Sequence, residues 1–416
     1  MNIYIETYGC TANKSDERLL IGLVTKNHHH VVHEIDTADV LILLTCTVIG
    51  TTEQRMLSRL TLFQKTHKKI IVSGCMPTVQ ADLITAIAPK AILLPCQYIQ
   101  YISDILFEKK PLLKETKKTA LPKTYDTLIA PIMIAEGCRF SCAYCITRFA
   151  RGKLRSFPIQ EIVSDVTSAI HQGCKEIQLT AQDTASYGLD RGENLGTLLS
   201  QITHLKEEFR IRIGMMNPAT LHENLSSILS AYQHEKIYKF LHLPVQSGDD
   251  EMLKKMNRMY TTKQFYFLIE QFRKKIPLLT LSTDIITGFP TESEEHFLRT
   301  ISLLESIQPD IVNITRFSAR PLTTAKKMKG RLPTHIVKER SRHLTEICQR
   351  ISFEKNKNHL GKICNVLTTE NGKNNTVIGR TEQYKPVILT EPVSLGKFLS
   401  IEIIDTTSTY LLGKLI

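Results

Sequence analysis

The chain has 416 residues, 42% apolar and 23% charged, with a formal net charge of +12 from 53 Lys and Arg against 41 Asp and Glu. This composition excludes a wholly disordered or fibrous protein, and no run reaches the roughly 18 uncharged apolar residues of a membrane span. The basic balance favours anionic partners, nucleic acid first, with plain solubility as the alternative.

The opening Met1-Asn2-Ile3-Tyr4-Ile5-Glu6 has no basic or cleavable apolar leader pattern, so a cytoplasmic chain without a membrane partner is expected. The length predicts two to four domains. Residues 1–107 alternate strand patterns (3–7, 39–45, 69–73) with helix patterns (16–25, 51–66, 79–87). That alternation predicts an N-terminal parallel α/β domain. Cys10, Cys46 and Cys75 each follow a predicted strand. Parallel sheets gather ligands at the carboxyl ends of their strands, so the three thiols are expected at one sheet edge.

Residues 108–127 read as a basic linker, because 109–123 holds six lysines and two prolines. From 128 to about 350, strand patterns at 129–135, 176–180, 210–214, 240–243, 279–286 and 310–314 alternate with helix patterns at 159–171, 220–231, 249–256, 262–274 and 293–306. Six such units predict a partial (β/α)6 barrel, since a full barrel needs eight. Residues 355–416 change to short strands at 363–368, 375–380, 386–389, 398–404 and 408–412, separated by turn residues such as Asn371-Gly372. This is the outline of a small all-β barrel. It is basic, with eight Lys or Arg against five Asp or Glu from Lys355 onward.

The run Gly137-Cys138-Arg139-Phe140-Ser141-Cys142-Ala143-Tyr144-Cys145 has the spacing C-x3-C-x2-C just after a strand. Three close thiols without an obvious fourth suit an iron–sulfur cluster with one iron open to chemistry. A zinc knuckle with a distant fourth ligand is the alternative. Cys96, Cys174, Cys348 and Cys364 match no motif and read as packing residues.

The cysteine run resembles the signature of radical S-adenosylmethionine enzymes. Three further stretches resemble the methylthiotransferase family within that superfamily: Tyr8-Gly9-Cys10-Thr11-Ala12-Asn13 with Asp16, Thr45-Cys46-Thr47-Val48, and Ser73-Gly74-Cys75-Met76-Pro77. So do Cys145-Ile-Thr-Arg-Phe-Ala-Arg-Gly-Lys-Leu-Arg-Ser156, Pro244-Val245-Gln246-Ser247-Gly248 and Asp284-Ile-Ile-Thr-Gly-Phe-Pro290. The end, with Gly379-Arg380-Thr381 and Tyr384-Lys385-Pro386, resembles the TRAM-like RNA-binding barrel that closes these enzymes.

The resemblance implies two [4Fe–4S] clusters, one on Cys138, Cys142 and Cys145 and an auxiliary one on Cys10, Cys46 and Cys75. It implies two molecules of S-adenosylmethionine per turnover, one cleaved to a 5′-deoxyadenosyl radical and one giving its methyl group. It also implies tRNA as substrate, an electron-donor protein and a sulfur source. Tyr144, Gln182, Asp183, Asn217, Gln246, Ser247 and Asp284 are the expected cofactor contacts. For Gln182, Asp183, Gln246, Ser247 and Asp284 the plainer role is helix capping, and for Asn217 turn formation before Pro218. Arg148, Arg151, Lys153, Arg155, Arg316, Arg320, Arg380 and Lys385 are the expected RNA contacts, against a solvated charge run.

The family divides by substrate. Gly74-Cys75-Met76-Pro77, Gln182-Asp183-Thr184-Ala185-Ser186-Tyr187-Gly188 and Gly214-Met215-Met216-Asn217-Pro218 resemble the archaeal and eukaryotic group acting on N6-threonylcarbamoyladenosine beside the tRNA anticodon (position 37). The groups acting on N6-isopentenyladenosine or on a ribosomal-protein aspartate are the alternatives. A non-catalytic metal-containing RNA-binding protein is the reading of another class.

Overall fold

The computed structural model describes residues 1–109 and 118–416; positions 110–117 of the expected linker lie outside the described residues. The first body is an all-parallel sheet of β1 (Asn2–Thr7), β2 (His30–Val32), β3 (Val40–Thr45), β4 (Lys69–Gly74) and β5 (Ile92–Pro95), in the order β2-β1-β3-β4-β5. All six residues of β3 are buried, because the sheet is covered on both faces. Leu19, Leu20, Leu23 and Val24 of α1 (Thr11–Lys26) pack on one face with Ile42 and Leu44. Met56, Leu60 and Phe63 of α2 (Gly50–Lys65) pack on the other with Leu41 and Leu43. The strand order reverses between β1 and β3, and Cys10 and Cys46 follow those two strands. That is the crevice where doubly wound sheets bind ligands. The sequence pattern missed β2 and β5, the two short edge strands.

The central body has six parallel strands: β6 (Ile129–Met133), β7 (Glu176–Thr180), β8 (Arg210–Ile213), β9 (Phe240–His242), β10 (Thr280–Thr287) and β11 (Ile311–Arg316). They form sheets β6-β7-β8 and β9-β10-β11. A bridge between Ile211 and Ile237 joins them, and Tyr238 N–H donates to Ile211 O at 3.0 Å. Ile177, Leu179, Ile211, Ile213, Leu241, Leu281 and Ile285 belong to the buried core. By the two-residue strand period, Gln178, Arg212, His242 and Asp284 face the lumen. Among the described residues, β6 and β11 do not pair, so the barrel stays open on one side. A five-residue helix, α3 (Thr147–Arg151), follows the cysteine loop. The expected helix over 220–231 is broken at Asn224 into Pro218–Glu223 and Leu225–Ala231.

A 24-residue helix, α4 (Thr334–Lys357), leads to the last body. There β12 (Ile363–Asn371), β13 (Val377–Thr381), β14 (Pro386–Leu389), β15 (Phe398–Thr406) and β16 (Leu411–Leu415) close a barrel in the order β12-β13-β14-β16-β15. Parallel pairing of β14 with β16 completes the ring. Val366, Val387, Leu389, Ile401, Ile403 and Leu411 fill it. The turn between β13 and β14 reaches into the foot of the central barrel. Tyr384 OH donates to Glu176 Oε1 at 3.0 Å. Lys385 Nζ donates to Asp310 Oδ1 at 2.8 Å and Asn356 Oδ1 at 2.7 Å. Among the described residues, no helix is long and apolar enough to cross a membrane.

Candidate metal centres and their surroundings

The N-terminal cysteines sit on three neighbouring strand ends tied together by the backbone. Cys10 is the residue before α1 and is exposed; Cys46 and Cys75 are buried. Gly9 has φ +104°, and a Cβ there would stand 2.7 Å from Cys46 Cβ. Only glycine fits so close a passage. Gly74 has φ +85°, and a Cβ would meet Thr45 O at 2.3 Å. Cys75 N–H donates to Thr45 O at 2.9 Å, and Met76 N–H to Thr45 Oγ1 at 3.1 Å. Thr45 thus holds the Cys75 loop against the one carrying Cys46.

A fourth thiol lies here that the sequence did not mark. Gly74 and Pro95 are register partners on β4 and β5, so Cys75 and Cys96 emerge side by side. A hydrogen bond with Cys75, and then burial, push the Cys96 thiol well up. The strand pattern Ile92–Pro95 was the signal that would have found it.

The second set is pinned at both ends of its loop. Gly137 N–H donates to Gln182 Oε1 at 2.6 Å. Cys138 N–H donates to Gly152 O at 3.2 Å, and Ala143 N–H to Met256 O at 2.9 Å. Arg258 Nη1 lies 3.3 Å from Cys142 Sγ, while its Nη2 donates to Pro244 O at 3.3 Å and its Nε to Tyr260 OH at 3.1 Å. Arg258 belongs to no motif, and the sequence reading missed it. Burial pushes the free Cys138 thiol to about 12 and raises Cys46 and Cys145. Metal loading at such thiols releases protons.

A buried ionic network ties the two sets together. Arg151, at the end of α3, meets Asp16 of α1 at 2.9 Å and Glu136 at 2.8 Å. Its Nη2 donates to Asn13 Oδ1 at 2.7 Å. Asn13 in turn donates to Tyr8 O at 2.6 Å and Thr45 O at 2.9 Å, next to Cys46. Lys118 Nζ is 2.8 Å from both Asp16 and Glu136. On the same helix, Ala150 O accepts from Cys96 Sγ at 3.5 Å and from Gln97.

The other expected site residues divide. Tyr144 is partly buried, and burial raises its hydroxyl well above the usual range. Gln182 holds the cysteine loop, as given above. Asp183 accepts from Ala185 N–H at 3.2 Å, Asn217 N–H at 2.9 Å and Thr220 Oγ1 at 2.9 Å. Burial lifts its carboxyl to about 6. Asn217 caps the helix Pro218–Glu223 through Ala219 N–H at 3.1 Å. Asp183 thus makes the capping contact that was its plainer expectation, and Asn217 caps the helix that Pro218 opens. Ser247 Oγ accepts from Asp249 N–H at 3.3 Å. Gln246 is buried at φ +73°. A long side chain held in the left-handed region marks a site where surrounding structure imposes the backbone. Asp284 accepts from His242 Nε2 at 2.9 Å and Asn313 Nδ2 at 2.8 Å inside the lumen.

Three of the expected RNA contacts are corrected. Arg151, Arg320 and Lys385 are all buried. Arg320 is bound to Glu53 and, at 3.3 Å, to Gln80, joining the first two bodies. Lys385 fastens the last body to the second. Each charge meets a partner distant in sequence, which a local charge pattern cannot reveal. Arg155 lies 3.2 Å from Glu136, and Arg380 lies 3.5 Å from Glu370 with its guanidinium over the Tyr384 ring. Lys153 and Arg316 are exposed and Arg148 half-buried. Arg148 and Lys153 line a cleft of about 540 Å³ beside Cys138.

Thiolates are the ligands that iron–sulfur clusters take. Among the described residues, no group of three His, Cys, Asp or Glu side chains is placed to hold a single metal ion. Thr7 Oγ1, Thr47 Oγ1 and Ser73 Oγ are buried without a hydrogen-bond partner. One flanks each of the three N-terminal cysteines. Such orphans cost about 1–3 kcal/mol each, and a group seated among them would relieve that cost.

Family models match in the same chain order as the three bodies. Residues 2–94 match uncharacterized protein family UPF0004, residues 132–304 the radical SAM superfamily, and residues 357–416 the TRAM domain. The chain is 43% identical to the probable threonylcarbamoyladenosine tRNA methylthiotransferase of Pyrococcus abyssi, over 100% of this chain and 99% of that one. It is 31% identical to the threonylcarbamoyladenosine tRNA methylthiotransferase of Homo sapiens, over 99% of this chain and 73% of that one. Among solved structures, the radical S-adenosylmethionine methyltransferase TsrM of Kitasatospora setae shares the fold at a TM-score of 0.57 and 11% identity, over 78% of this chain and 76% of that one.

Proposed function

This chain belongs to the threonylcarbamoyladenosine tRNA methylthiotransferase family, and we propose that it converts N6-threonylcarbamoyladenosine beside the tRNA anticodon to its 2-methylthio derivative. The observation that carries the reading is the pair of cysteine sets joined through α3, one at a sheet edge and one at a barrel mouth. A reaction that installs both sulfur and methyl at an aromatic C–H, which has no acid–base handle near neutral pH, calls for two such centres. We assign the cofactor chemistry to residues 1–107 and 128–350, and RNA binding to 355–416.

Cys138, Cys142 and Cys145 would hold one [4Fe–4S] cluster, and Cys10, Cys46 and Cys75 a second. With two molecules of S-adenosylmethionine per turnover, these groups supply the radical, the sulfur and the methyl group. The chain's own residues do the positioning. Gln182 and Arg258 fix the cysteine loop. Arg151, Asp16 and Glu136 set the relation of the two cysteine sets. Arg148, Lys153 and Arg316 have no carboxylate partner among the described residues, and we assign them to tRNA phosphates. An electron-donor protein and a sulfur source complete the partners.

Anaerobic reconstitution tests this assignment. Iron and sulfide are expected in amounts matching two clusters, with a changed cluster spectrum and 5′-deoxyadenosine formed once S-adenosylmethionine is added. Stoichiometric zinc and no response to the cofactor would replace the enzyme with a metal-containing RNA-binding protein.

A further inference from the structure

We infer that Arg212, in the lower barrel lumen, binds the carboxylate of the substrate's threonylcarbamoyl group and so sets specificity. This rests on the methylthiotransferase reading given above. The lumen there is a cavity of about 610 Å³ whose lining includes Arg212, His242, Ser282, Asn313 and Tyr384. That size lies within the range of small-molecule pockets and leaves ample room for the substituent.

The carboxylates around the cavity all have hydrogen-bond partners, and Arg212 is not among them. Asp284 is held by His242 and Asn313. Asp310 is held by Lys385 and Lys355, at 2.8 and 2.5 Å. Glu176 accepts from Gln178 at 2.7 Å, Tyr384 at 3.0 Å and Tyr238 at 3.3 Å. Arg212 has no carboxylate partner among the described residues. Its guanidinium instead lies against a pair of packed rings, 5.3 Å from the Phe240 centroid and 5.6 Å from that of Tyr384, the two centroids being 5.1 Å apart. Aromatic faces orient a guanidinium without neutralising it. Tyr384 sits at φ +64°, a conformation costly for a bulky residue. The RNA-binding barrel thus supplies one wall of the cavity at the expense of backbone strain.

One chain segment links the cavity to the cysteine loop. His242 lines the cavity, and Pro244, two residues on, gives its carbonyl to the Arg258 that touches Cys142. In adenine, C2 and the N6 substituent leave the six-membered ring in diverging directions. With C2 presented to the loop above, the substituent points into the lumen. A threonylcarbamoyl group ends in a carboxylate, which a guanidinium takes up in two parallel hydrogen bonds. An isopentenyl group would bury Arg212 with no partner, and a site built for a polar group rejects its apolar analogue for that reason.

The test compares binding of two tRNAs that differ only in whether adenosine 37 carries the threonylcarbamoyl group. The wild-type chain should bind the modified tRNA more tightly. R212Q should lose about ten- to a hundredfold on that tRNA alone, the range for a charged hydrogen bond, and bind the unmodified one unchanged. R212K keeps the charge without the fork and should fall between. An equal loss on both tRNAs would make Arg212 a phosphate contact and overturn the inference. So would no loss on either. Wild-type turnover is followed separately: a wild-type chain that methylthiolates the modified tRNA, while R212Q binds it unchanged, overturns the inference and leaves the methylthiotransferase reading standing.

Discussion

Arg151 Nη1 lies 2.9 Å from Asp16 Oδ2, joining a residue six places after Cys145 to one six places after Cys10. Both side chains are essentially inaccessible to water. The contact makes the relation between the two cysteine sets a property of the folded core, independent of any bound group.

Replacing Arg151 with Ala leaves Asp16 and Glu136 buried with Lys118 between them and Arg155 at 3.2 Å from Glu136 as the remaining cations. Breaking a buried charge pair costs about 3–5 kcal/mol. R151A is expected to move the first unfolding transition in denaturant by about that amount and to lower the iron retained at both sites. A shift below about 1 kcal/mol would show that Lys118 and Arg155 neutralise the network without Arg151.

The same network fixes an acid sensitivity. Burial disfavours ionised Glu136, but Lys118 and Arg151 outweigh it and hold the carboxyl at about 2, below its ordinary 4.5. A depressed folded pKa gives stability that is complete above the unfolded value and is lost as pH falls through the folded one. The loss is therefore expected between about pH 5 and pH 2. Acid titration of the wild type and E136Q checks it. The variant starts less stable and should show a shallower decline across that window; equal slopes would remove Glu136 as the cause.

Lys385 was expected to touch RNA and instead locks the last barrel to Asp310. K385M should loosen that barrel, seen as faster proteolytic release of residues 355–416. The salt dependence of tRNA binding should keep its slope, because no phosphate contact is removed. A shallower slope with unchanged proteolysis would return Lys385 to the RNA surface.

The two cysteine sets should separate by function. Alanine at Cys138, Cys142 and Cys145 together should remove about half the iron and all cleavage of S-adenosylmethionine. Alanine at Cys10, Cys46 and Cys75 should remove the other half, preserve cleavage and abolish the methylthio product. Unchanged iron in either triple variant would contradict the ligand assignment.

What could be read from the sequence follows from where the physics is local. Glu176–Thr180, Ile159–His171 and Pro386–Leu389 form where the pattern places them: the first as a short, mostly buried run, the other two because burial follows the period of the element. Helix α4 was missed because a 24-residue run rich in Lys, Arg and Glu buries only a narrow apolar stripe of Leu344, Ile347, Cys348 and Ile351. The thiols were legible because cluster chemistry restricts residue type and spacing. Arg320 was not, because Glu53 stands 267 residues away. Arg212 looked like an ordinary strand residue until three neighbouring carboxylates were each seen to be occupied by other partners.

The most direct measurement is nucleoside mass spectrometry after strictly anaerobic turnover with reductant, sulfide and S-adenosylmethionine. The substrate would be a mixture of threonylcarbamoyl-modified and isopentenyl-modified tRNA. A methylthio mass gain on the threonylcarbamoyl nucleoside alone is the predicted result. A gain only on the isopentenyl nucleoside, or on neither while the cofactor is cleaved, would contradict the account.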